Sequence, residues 1–281
     1  MSRLLQAIAR RPIALDAGMG TRLIALGLDP RHDDPSLWNV DRPAGVAGVH
    51  ARDARAGAVA LLTNTFGANR SWLSRFDRAD DLEKINRAAV ELARGAAGES
   101  GFVLGDIGPT AADGIGAARE QAEILMEAGV DGLVLETFPL EAAIADLREL
   151  ASIPGRPPLI ASLWAWPEPI EAAARRLVDA GADVIGSNCR PALPEMLEEV
   201  RRLASAVPVP LLVKPGIDPD DPEGSSTPST FASAVRKLVG YNVRMIGGCC
   251  GTTEAHVEAV AGAIAALDSH PIDSTRQGPA T

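Results

Sequence analysis

Several features that mark other classes of protein are scarce in this 281-residue chain. No apolar run approaches the roughly 18 residues that a membrane-spanning helix needs, so no membrane protein is expected. Lys and Arg number 27 against 37 Asp and Glu, for a net charge of −10. Because no basic cluster offsets this charge, nucleic acid and anionic membranes are poor candidates as partners. The 27 glycines and 21 prolines fall below the ~25–30% share that is typical of low-complexity chains.

Cysteine is also scarce. Three cysteines cannot form a disulfide framework, because one must stay unpaired. The start, Met1–Pro12, has an apolar stretch too short for a secretory signal. It predicts a short helix packed on the domain, although its arginines also resemble those of an organelle transit peptide. We therefore expect a soluble, cytoplasmic protein with reduced thiols.

What the chain does have is apolar residues, 46% of the total, enough for a large core. They fall in short continuous runs that are typical of strands buried on both faces. The predicted strands are Ile13–Asp16, Val59–Thr63, Phe102–Asp106, Gly132–Glu136, Leu159–Leu163, Asp183–Gly186, Leu211–Lys214 and Val243–Gly247.

Between these runs lie stretches with apolar residues at i, i+3, i+4 and i+7, the spacing of a helix that packs on a sheet. The predicted helices include Asp81–Ala97, Ala117–Ala128, Leu140–Ala151, Pro169–Ala180, Leu193–Ala206 and Glu254–Leu267.

This alternation predicts parallel strands joined by right-handed crossovers. About eight units in one chain of this length favour an α/β fold with a single (β/α)8 TIM-type barrel over an open, doubly wound sheet. The glycine-rich turn of a dinucleotide site is matched only by Gly114-Ile115-Gly116, which lacks the third glycine and predicts a loop. The polar insertion Asp218–Thr230 is either a functional or a mobile surface loop. We expect the barrel over residues 1–267 and a disordered tail over residues 268–281.

Barrel enzymes place their active sites at the carboxyl ends of the strands, and polar residues are dense there in this sequence. All three cysteines fall at such ends: Cys189 after the sixth strand, Cys249 and Cys250 after the eighth. Three thiolates suit Zn²⁺ and leave a fourth position open, as in catalytic zinc sites. The alternatives are small buried thiols or a strained disulfide between Cys249 and Cys250. A zinc ion held by three thiolates is a weak Lewis acid for water but keeps a bound substrate thiolate nucleophilic, which points to alkylation of a thiol.

The strand-end motifs together resemble the homocysteine S-methyltransferase family. They read DAGMGT, LTNTFGAN, GDIGPT, ETF, GSNC, VKP and GGCCGT, in the order of the family, from about residue 13 to residue 267. GGCCGT with the upstream GSNC is the most specific pair. LTNTFGAN and GDIGPT are most similar to the homocysteine domain of cobalamin-dependent methionine synthase.

The resemblance implies a zinc barrel that transfers a methyl group to homocysteine and gives methionine. It implies that Cys189, Cys249 and Cys250 hold the zinc, that Asp16 and Glu136 bind the substrate ammonium, and that amides around Gly18, Gly20 and Thr21 bind its carboxylate. Asn64 and Asn188 either support the cysteine sulfurs or fix the strand-end loops. For Asp16 and Glu136 the alternatives are a loop cap and a salt bridge at the barrel mouth.

Some positions depart from the pattern of the family. Ala17 stands where glycine is common, Arg22 where an acid or amide is common, and Gly216-Ile217-Asp218 where Asn-Ala-Gly is frequent. Trp164 and Trp166 lie in a shortened region and either line the mouth or close the barrel top. Because methionine synthase carries its folate and cobalamin modules on its own chain, we expect the donor here to be a small molecule, or a corrinoid or folate protein.

Three other functions are also compatible with the sequence. One is methyl transfer to another small thiol, and another is a zinc- or redox-responsive binding protein whose cysteines sense rather than catalyse. A Schiff-base lyase that uses Lys214 is a third.

Overall fold

The computed structural model describes residues 1–110, 117–189, 193–217 and 227–269. Strands and helices alternate through these residues, as the periodicity predicts. The strands are β1 (Ile13–Ala14), β2 (Ala60–Leu62), β3 (Phe102–Ile107), β4 (Gly132–Phe138), β5 (Leu159–Leu163), β6 (Val184–Asn188), β7 (Leu211–Lys214) and β8 (Val243–Ile246). Helices α1 to α6 are Arg3–Arg10, Met19–Ala25, Trp38–Asp41, Pro43–Arg55, Arg70–Leu73 and Leu82–Ala97. Helices α7 to α12 are Ala117–Glu127, Leu140–Ala151, Ile170–Asp179, Leu193–Ala206, Pro228–Gly240 and Glu254–Ser269.

The eight strands form one parallel sheet in the order β1-β8-β7-β6-β5-β4-β3-β2. A parallel bridge between Leu15 and Ala60 joins the two ends of this order, and the Val59 N–H donates to the Ala14 carbonyl at 2.8 Å. These contacts close the sheet, so the predicted single (β/α)8 barrel is confirmed.

The barrel interior is filled by residues at alternate positions of the strands. Leu104, Val134 and Leu212 belong to this inner cluster, and Leu4 and Ile8 of α1 pack against it from below. Ser2 caps α1 by accepting a hydrogen bond from the Leu5 N–H at 3.2 Å. The start of the chain therefore forms the predicted packed helix, and it seals the amino end of the barrel.

A second cluster fills the space between the strands and the outer helices. Helix α6 illustrates how the sequence builds this layer, since Val90 and Ala93 on its inward face are buried members of the cluster. Most buried polar side chains of the strands, among them Asp106, Glu136 and Lys214, lie near the carboxyl ends of the strands. Many of the side chains available for chemistry therefore collect at that end of the barrel.

Several predicted segments lie partly or wholly outside the described residues. The Gly114-Ile115-Gly116 loop and positions 218–226 of the insertion lie outside them, whereas residues 228–230 begin α11. The last helix runs two residues past its predicted end at Leu267. The expected tail lies outside the described residues from position 270 onward. Within the described part of the chain, no helix is both long and apolar enough to cross a membrane.

Candidate active site

A cavity of about 330 Å³ opens at the carboxyl ends of the strands. Nearly all of the side chains and backbone groups predicted to form the site line it together. They are Asp16, Gly18, Gly20, Thr21, Asn64, Glu136, Cys189, Cys249 and Cys250. Asn188 is the one predicted residue that does not line it.

The loops that carry the cysteines are joined by backbone hydrogen bonds. The Cys189 N–H donates to the Lys214 carbonyl at 3.0 Å, the Cys249 N–H to Pro215 at 2.8 Å, and the Ile217 N–H to Cys250 at 2.8 Å. The ends of β6, β7 and β8 therefore support one another. Gly251 completes the sharp turn after the cysteine pair with a φ of +79°, a conformation that glycine adopts without strain.

The three sulfur atoms all lie within 4.8 Å of one another. The Sγ atoms of Cys189 and Cys250 are 3.8 Å apart, whereas Cys189 and Cys249 are joined as a disulfide. The pairing considered from sequence, Cys249 with Cys250, is therefore not the one formed, and Cys250 is the free thiol.

This donor set fits a zinc ion once the disulfide is reduced. Sulfur ligands at about 2.3 Å from a tetrahedral zinc lie ~3.8 Å from one another, which is the separation already seen between Cys189 and Cys250. Partial burial of the Cys250 sulfur, with a smaller contribution from the nearby Glu136 carboxylate, raises the pKa of this thiol. A bound cation would oppose both effects and favour the thiolate.

A buried group of charges lies beside the sulfurs. Lys214 Nζ is 3.1 Å from Glu136 Oε1 and 3.6 Å from Asp16 Oδ1. Burial alone would lower the pKa of Lys214, but Glu136, Asp16 and Asp106 together raise it above its ordinary value. The amine therefore holds its proton, which argues against the Schiff-base function considered for Lys214.

Asp106 is the residue of this group that sequence reasoning missed. It lines the same cavity, and burial, with a further contribution from Glu136, raises its pKa well above the ordinary value. Burial also raises the pKa of Asp16 to about 7, against the lowering effect of Lys214. Asp16 Oδ2 accepts from the Leu62 N–H at 2.7 Å.

The strand alternation provides the signal that could have found Asp106. Asp106, Glu136 and Lys214 stand two residues after Leu104, Val134 and Leu212, which all point into the barrel core. Because side chains alternate along a strand with a period of two, the three charged residues must also point inward, one layer higher.

The DAGMGT loop is tied to the cysteine loop. A Cβ on Gly18 would collide with the Cys249 carbonyl oxygen, so the two backbones approach as closely as glycine permits. The Gly18 N–H donates to Thr252 Oγ1 at 3.1 Å, and the Gly251 N–H donates to Thr21 Oγ1 at 3.2 Å. Of the predicted carboxylate-binding amides, that of Gly18 is therefore already engaged. The amides of Met19, Gly20 and Thr21 begin α2, where a helix offers unpaired N–H groups.

The two asparagines fix strand-end loops and make no hydrogen bond to a described cysteine sulfur. Asn64 Nδ2 donates to Pro35 O at 2.6 Å and to Asn39 Oδ1 at 3.0 Å. Asn188 Oδ1 accepts from Ser162 Oγ at 2.6 Å, and its Nδ2 donates to Thr137 Oγ1 at 2.7 Å.

The sequence profile of homocysteine S-methyltransferases matches residues 13–264, which is most of the chain. The chain belongs to the homocysteine S-methyltransferase family.

Named relatives and solved structures agree with this assignment. The methionine synthase of Mycobacterium tuberculosis is 31% identical over 93% of this chain, and the chain spans 25% of its length. Betaine–homocysteine S-methyltransferase 1 of the mouse is 30% identical over 79% of the chain and 64% of its own length. The metallated form of the homocysteine methyltransferase MmuM from Escherichia coli superposes with a TM-score of 0.76 and 26% identity, over 92% of this chain and 99% of its own.

The departure from the family at Arg22 has a structural explanation. Its guanidinium forms two hydrogen bonds of 2.6 Å with Asp53 of α4, and both side chains are almost fully buried. It also donates to the carbonyls of Gly18 at 2.9 Å and Ala17 at 3.1 Å. Arg22 therefore holds the DAGMGT loop against α4. The neighbouring His50 is fully buried, and its pKa is lowered to about 3, mainly by burial and then by Arg22.

The two tryptophans of the shortened family region differ in environment, and neither lines the cavity. Trp166 is buried and donates from Nε1 to Ser187 Oγ at 2.8 Å, so it packs behind β6. Trp164 is 57% exposed. The apolar side chain that does stand exposed at the cavity is Phe66 of LTNTFGAN.

Proposed function

We propose that this protein transfers a methyl group to the thiol of homocysteine and gives methionine, with the thiol activated on a zinc ion held by Cys189, Cys249 and Cys250. The observation that carries the proposal is the convergence of three cysteine sulfurs with a buried, carboxylate-rich pocket in one cavity. Membership of the homocysteine S-methyltransferase family supports the choice of acceptor.

Zinc, when bound, lowers the pKa of a coordinated thiol and leaves the sulfur nucleophilic. The chain supplies the positioning. Asp16 and Glu136 lie where they can draw in the substrate ammonium, and the free amides of α2 lie where they can accept its carboxylate. In the transfer, the sulfur–methyl bond forms while the bond between the methyl group and the donor breaks. The donor leaves with the electron pair of the broken bond, and the thiol proton passes to solvent before this step.

The donor enters from the open side of the cavity, beside Phe66 and Met19. It is either a small methylated molecule or a corrinoid or folate protein that docks over the barrel mouth. The three cysteines must be reduced and deprotonated to hold the metal. Because thiols stay reduced in the cytoplasm, we place the activity there.

The decisive experiment supplies the reduced, zinc-loaded protein with homocysteine and each of five donors: S-methylmethionine, S-adenosylmethionine, betaine, methylcobalamin and methyltetrahydrofolate. Formation of methionine with one donor, and its loss in Cys250→Ser, supports the proposal. Methylation of a different thiol, with none of homocysteine, would overturn the acceptor and favour the broader thiol methyltransferase.

The disulfide between Cys189 and Cys249 favours one second candidate, a redox-responsive zinc protein. That function predicts reversible oxidation and zinc release with no methyl transfer to any thiol. The same assay, run beside a zinc-release measurement, distinguishes the two functions.

A further inference from the structure

Strand β4 carries an irregularity next to Glu136. The register of β4 against β5 shifts between Glu136 and Phe138, which leaves Thr137 as an extra residue in the strand. The φ of Thr137 is +65°, in the left-handed region that a β-branched residue rarely adopts. Glu136 and Thr137 both line the cavity, whereas neighbouring side chains of a regular strand point to opposite faces. This β-bulge therefore turns two adjacent side chains toward the site.

A second left-handed residue is Cys189, the proposed zinc ligand after β6, with a φ of +60°. Among the described residues, four other than glycine have a positive φ, and Thr137 and Cys189 are the two of them that line the cavity. Such conformations cost free energy, persist only where surrounding contacts hold them, and concentrate at functional sites. These two residues therefore need support from the groups around them.

Asn188 supplies that support to Thr137 and directly precedes Cys189 in the chain. Its Oδ1 atom accepts from the Thr137 N–H at 3.3 Å, and its Nδ2 group donates to Thr137 Oγ1 at 2.7 Å. Ser162 Oγ of β5 donates to the same Oδ1 at 2.6 Å and so fixes the orientation of the amide. Asn188 and Ser162 are both fully buried, and neither lines the cavity. Asn188 therefore acts on the site through its neighbours rather than by touching a ligand.

We propose that Asn188 is a positioning residue that joins the metal-binding half of the site to the half that receives the amino acid. The inference rests on the proposed function, in which Cys189 holds the zinc and Glu136 lies on the amino-acid side. Through its two hydrogen bonds to Thr137, Asn188 holds the end of β4 against the end of β6. One buried side chain therefore sets both the affinity for zinc and the choice of substrate.

The first measurement is the zinc affinity of the reduced protein, by competition with a chromogenic chelator in the absence of substrate. In Asn188→Ala the bulge loses its partner and Cys189 can leave its left-handed conformation. We therefore expect the zinc affinity to fall by about 10- to 100-fold. In Asn188→Asp the buried carboxyl takes up a proton and then resembles the amide, so this variant should recover most of the affinity.

The second measurement separates the amino-acid side from the metal. Calorimetry on zinc-saturated protein, with no methyl donor present, compares homocysteine with 4-mercaptobutyrate, which lacks the amino group. The wild type should prefer homocysteine. Asn188→Ala should reduce this preference by about 3- to 10-fold, the equivalent of about one hydrogen bond. A residue that acted only on stability would not change this ratio in protein that remains folded.

Asn242→Ala is the matched control. Asn242 also joins two neighbouring strands through its side-chain amide, which donates to the Val209 carbonyl at 3.2 Å, and its φ is +61°. It directly precedes β8 and so lies at the opposite end of the barrel. Its substitution should lower the stability to urea and leave the zinc affinity and the preference for homocysteine unchanged.

Ser162→Ala serves if Asn188→Ala does not fold. It removes only the hydrogen bond that orients the Asn188 amide, and Ser162 does not line the cavity. Both the zinc affinity and the preference for homocysteine should fall, each by less than in Asn188→Ala.

Two outcomes would contradict the inference while the proposed function stands. If a folded Asn188→Ala keeps both the zinc affinity and the preference for homocysteine, Asn188 contributes to stability alone. If only the zinc affinity falls, Asn188 supports Cys189 and does not join the two halves of the site. A wild type that binds zinc but does not bind homocysteine would instead refute the proposed function, and the joint role of Asn188 with it.

Discussion

Replacing Arg22 by methionine should destabilise the protein through the charge that it leaves behind. The guanidinium is 8% exposed and its partner Asp53 is fully buried, with two hydrogen bonds of 2.6 Å between them. Removal of one partner of such a pair typically costs about 3–5 kcal/mol, because the remaining charge stays buried without compensation. The carbonyls of Ala17 and Gly18 also lose a donor. We therefore expect the loss to lie toward the upper end of this range.

Urea denaturation under reducing conditions measures the change in the free energy of unfolding. The double variant Arg22→Met with Asp53→Asn removes both charges and should recover part of the loss, since no buried charge then lacks a partner. Arg31→Met is the control, because Arg31 pairs with Asp29 on the surface with 80% of its side chain exposed. It should have no resolvable effect.

A cost of less than about 1 kcal/mol for Arg22→Met, or a double variant no more stable than the single one, would contradict this prediction. Either result would mean that the pair contributes little net energy. The DAGMGT loop would then be held chiefly by its hydrogen bonds to Thr252 and Gly251.

Two further predictions concern the loop and the pH dependence of stability. Gly18→Ala should displace the Cys249 carbonyl, because the added Cβ would collide with it, and this displacement should weaken zinc binding. Gly95→Ala is the control, since a Cβ there meets no described atom within 4 Å. Competition with a chromogenic chelator should show a lower zinc affinity for Gly18→Ala than for Gly95→Ala. Burial raises the pKa of Asp16 from its ordinary value of 3.8 to about 7 in the folded state. The folded state therefore binds the proton more tightly than the unfolded state, and the ionised Asp16 costs more stability as the pH rises from about 4 to about 7. Asp16→Asn should therefore gain stability relative to the wild type between pH 5 and pH 8 in metal-free urea titrations, and a constant difference across that range would refute the assignment.

The barrel itself could be predicted because its signals are local. Each buried strand is an apolar run, and each outer helix carries its own buried stripe, which in α6 includes Ile85, Ala89 and Ala93. The cysteine cluster was also predictable, since in a barrel the ends of β6 and β8 must face the same cavity. In both cases the position of the residues along the chain was enough to predict the feature.

Other features depend on pairings between distant positions that no local pattern reveals. Arg22 was visible only as a departure from the family, and its partner Asp53 lies 31 residues away on another helix. Lys214 was considered as a nucleophile, although its two carboxylate neighbours come from β4 and the loop after β1. Asp106 stood in a quoted motif, but its place beside Glu136 and Lys214 depends on the packing of β3 against distant strands.

The disulfide pairing weighed as an alternative from the sequence differs from the one in the structure for a related reason. Adjacency in sequence drew attention to Cys249 with Cys250, whereas the turn between them directs Cys249 toward Cys189 across the barrel mouth, with 5.3 Å between the Cα atoms of the bonded pair. The same turn brings Cys250 to 3.8 Å from Cys189. The three cysteine sulfurs converge because the carboxyl ends of β6 and β8 lie close together at the cavity.

The most direct test of the central claim is zinc X-ray absorption of the reduced protein, recorded before and after homocysteine is added. We expect about one zinc per chain, with three sulfur neighbours at about 2.3 Å that become four when homocysteine binds. A metal-free reduced protein, or a sulfur count that stays at three in saturating homocysteine, would contradict the claim that the substrate thiol completes the site.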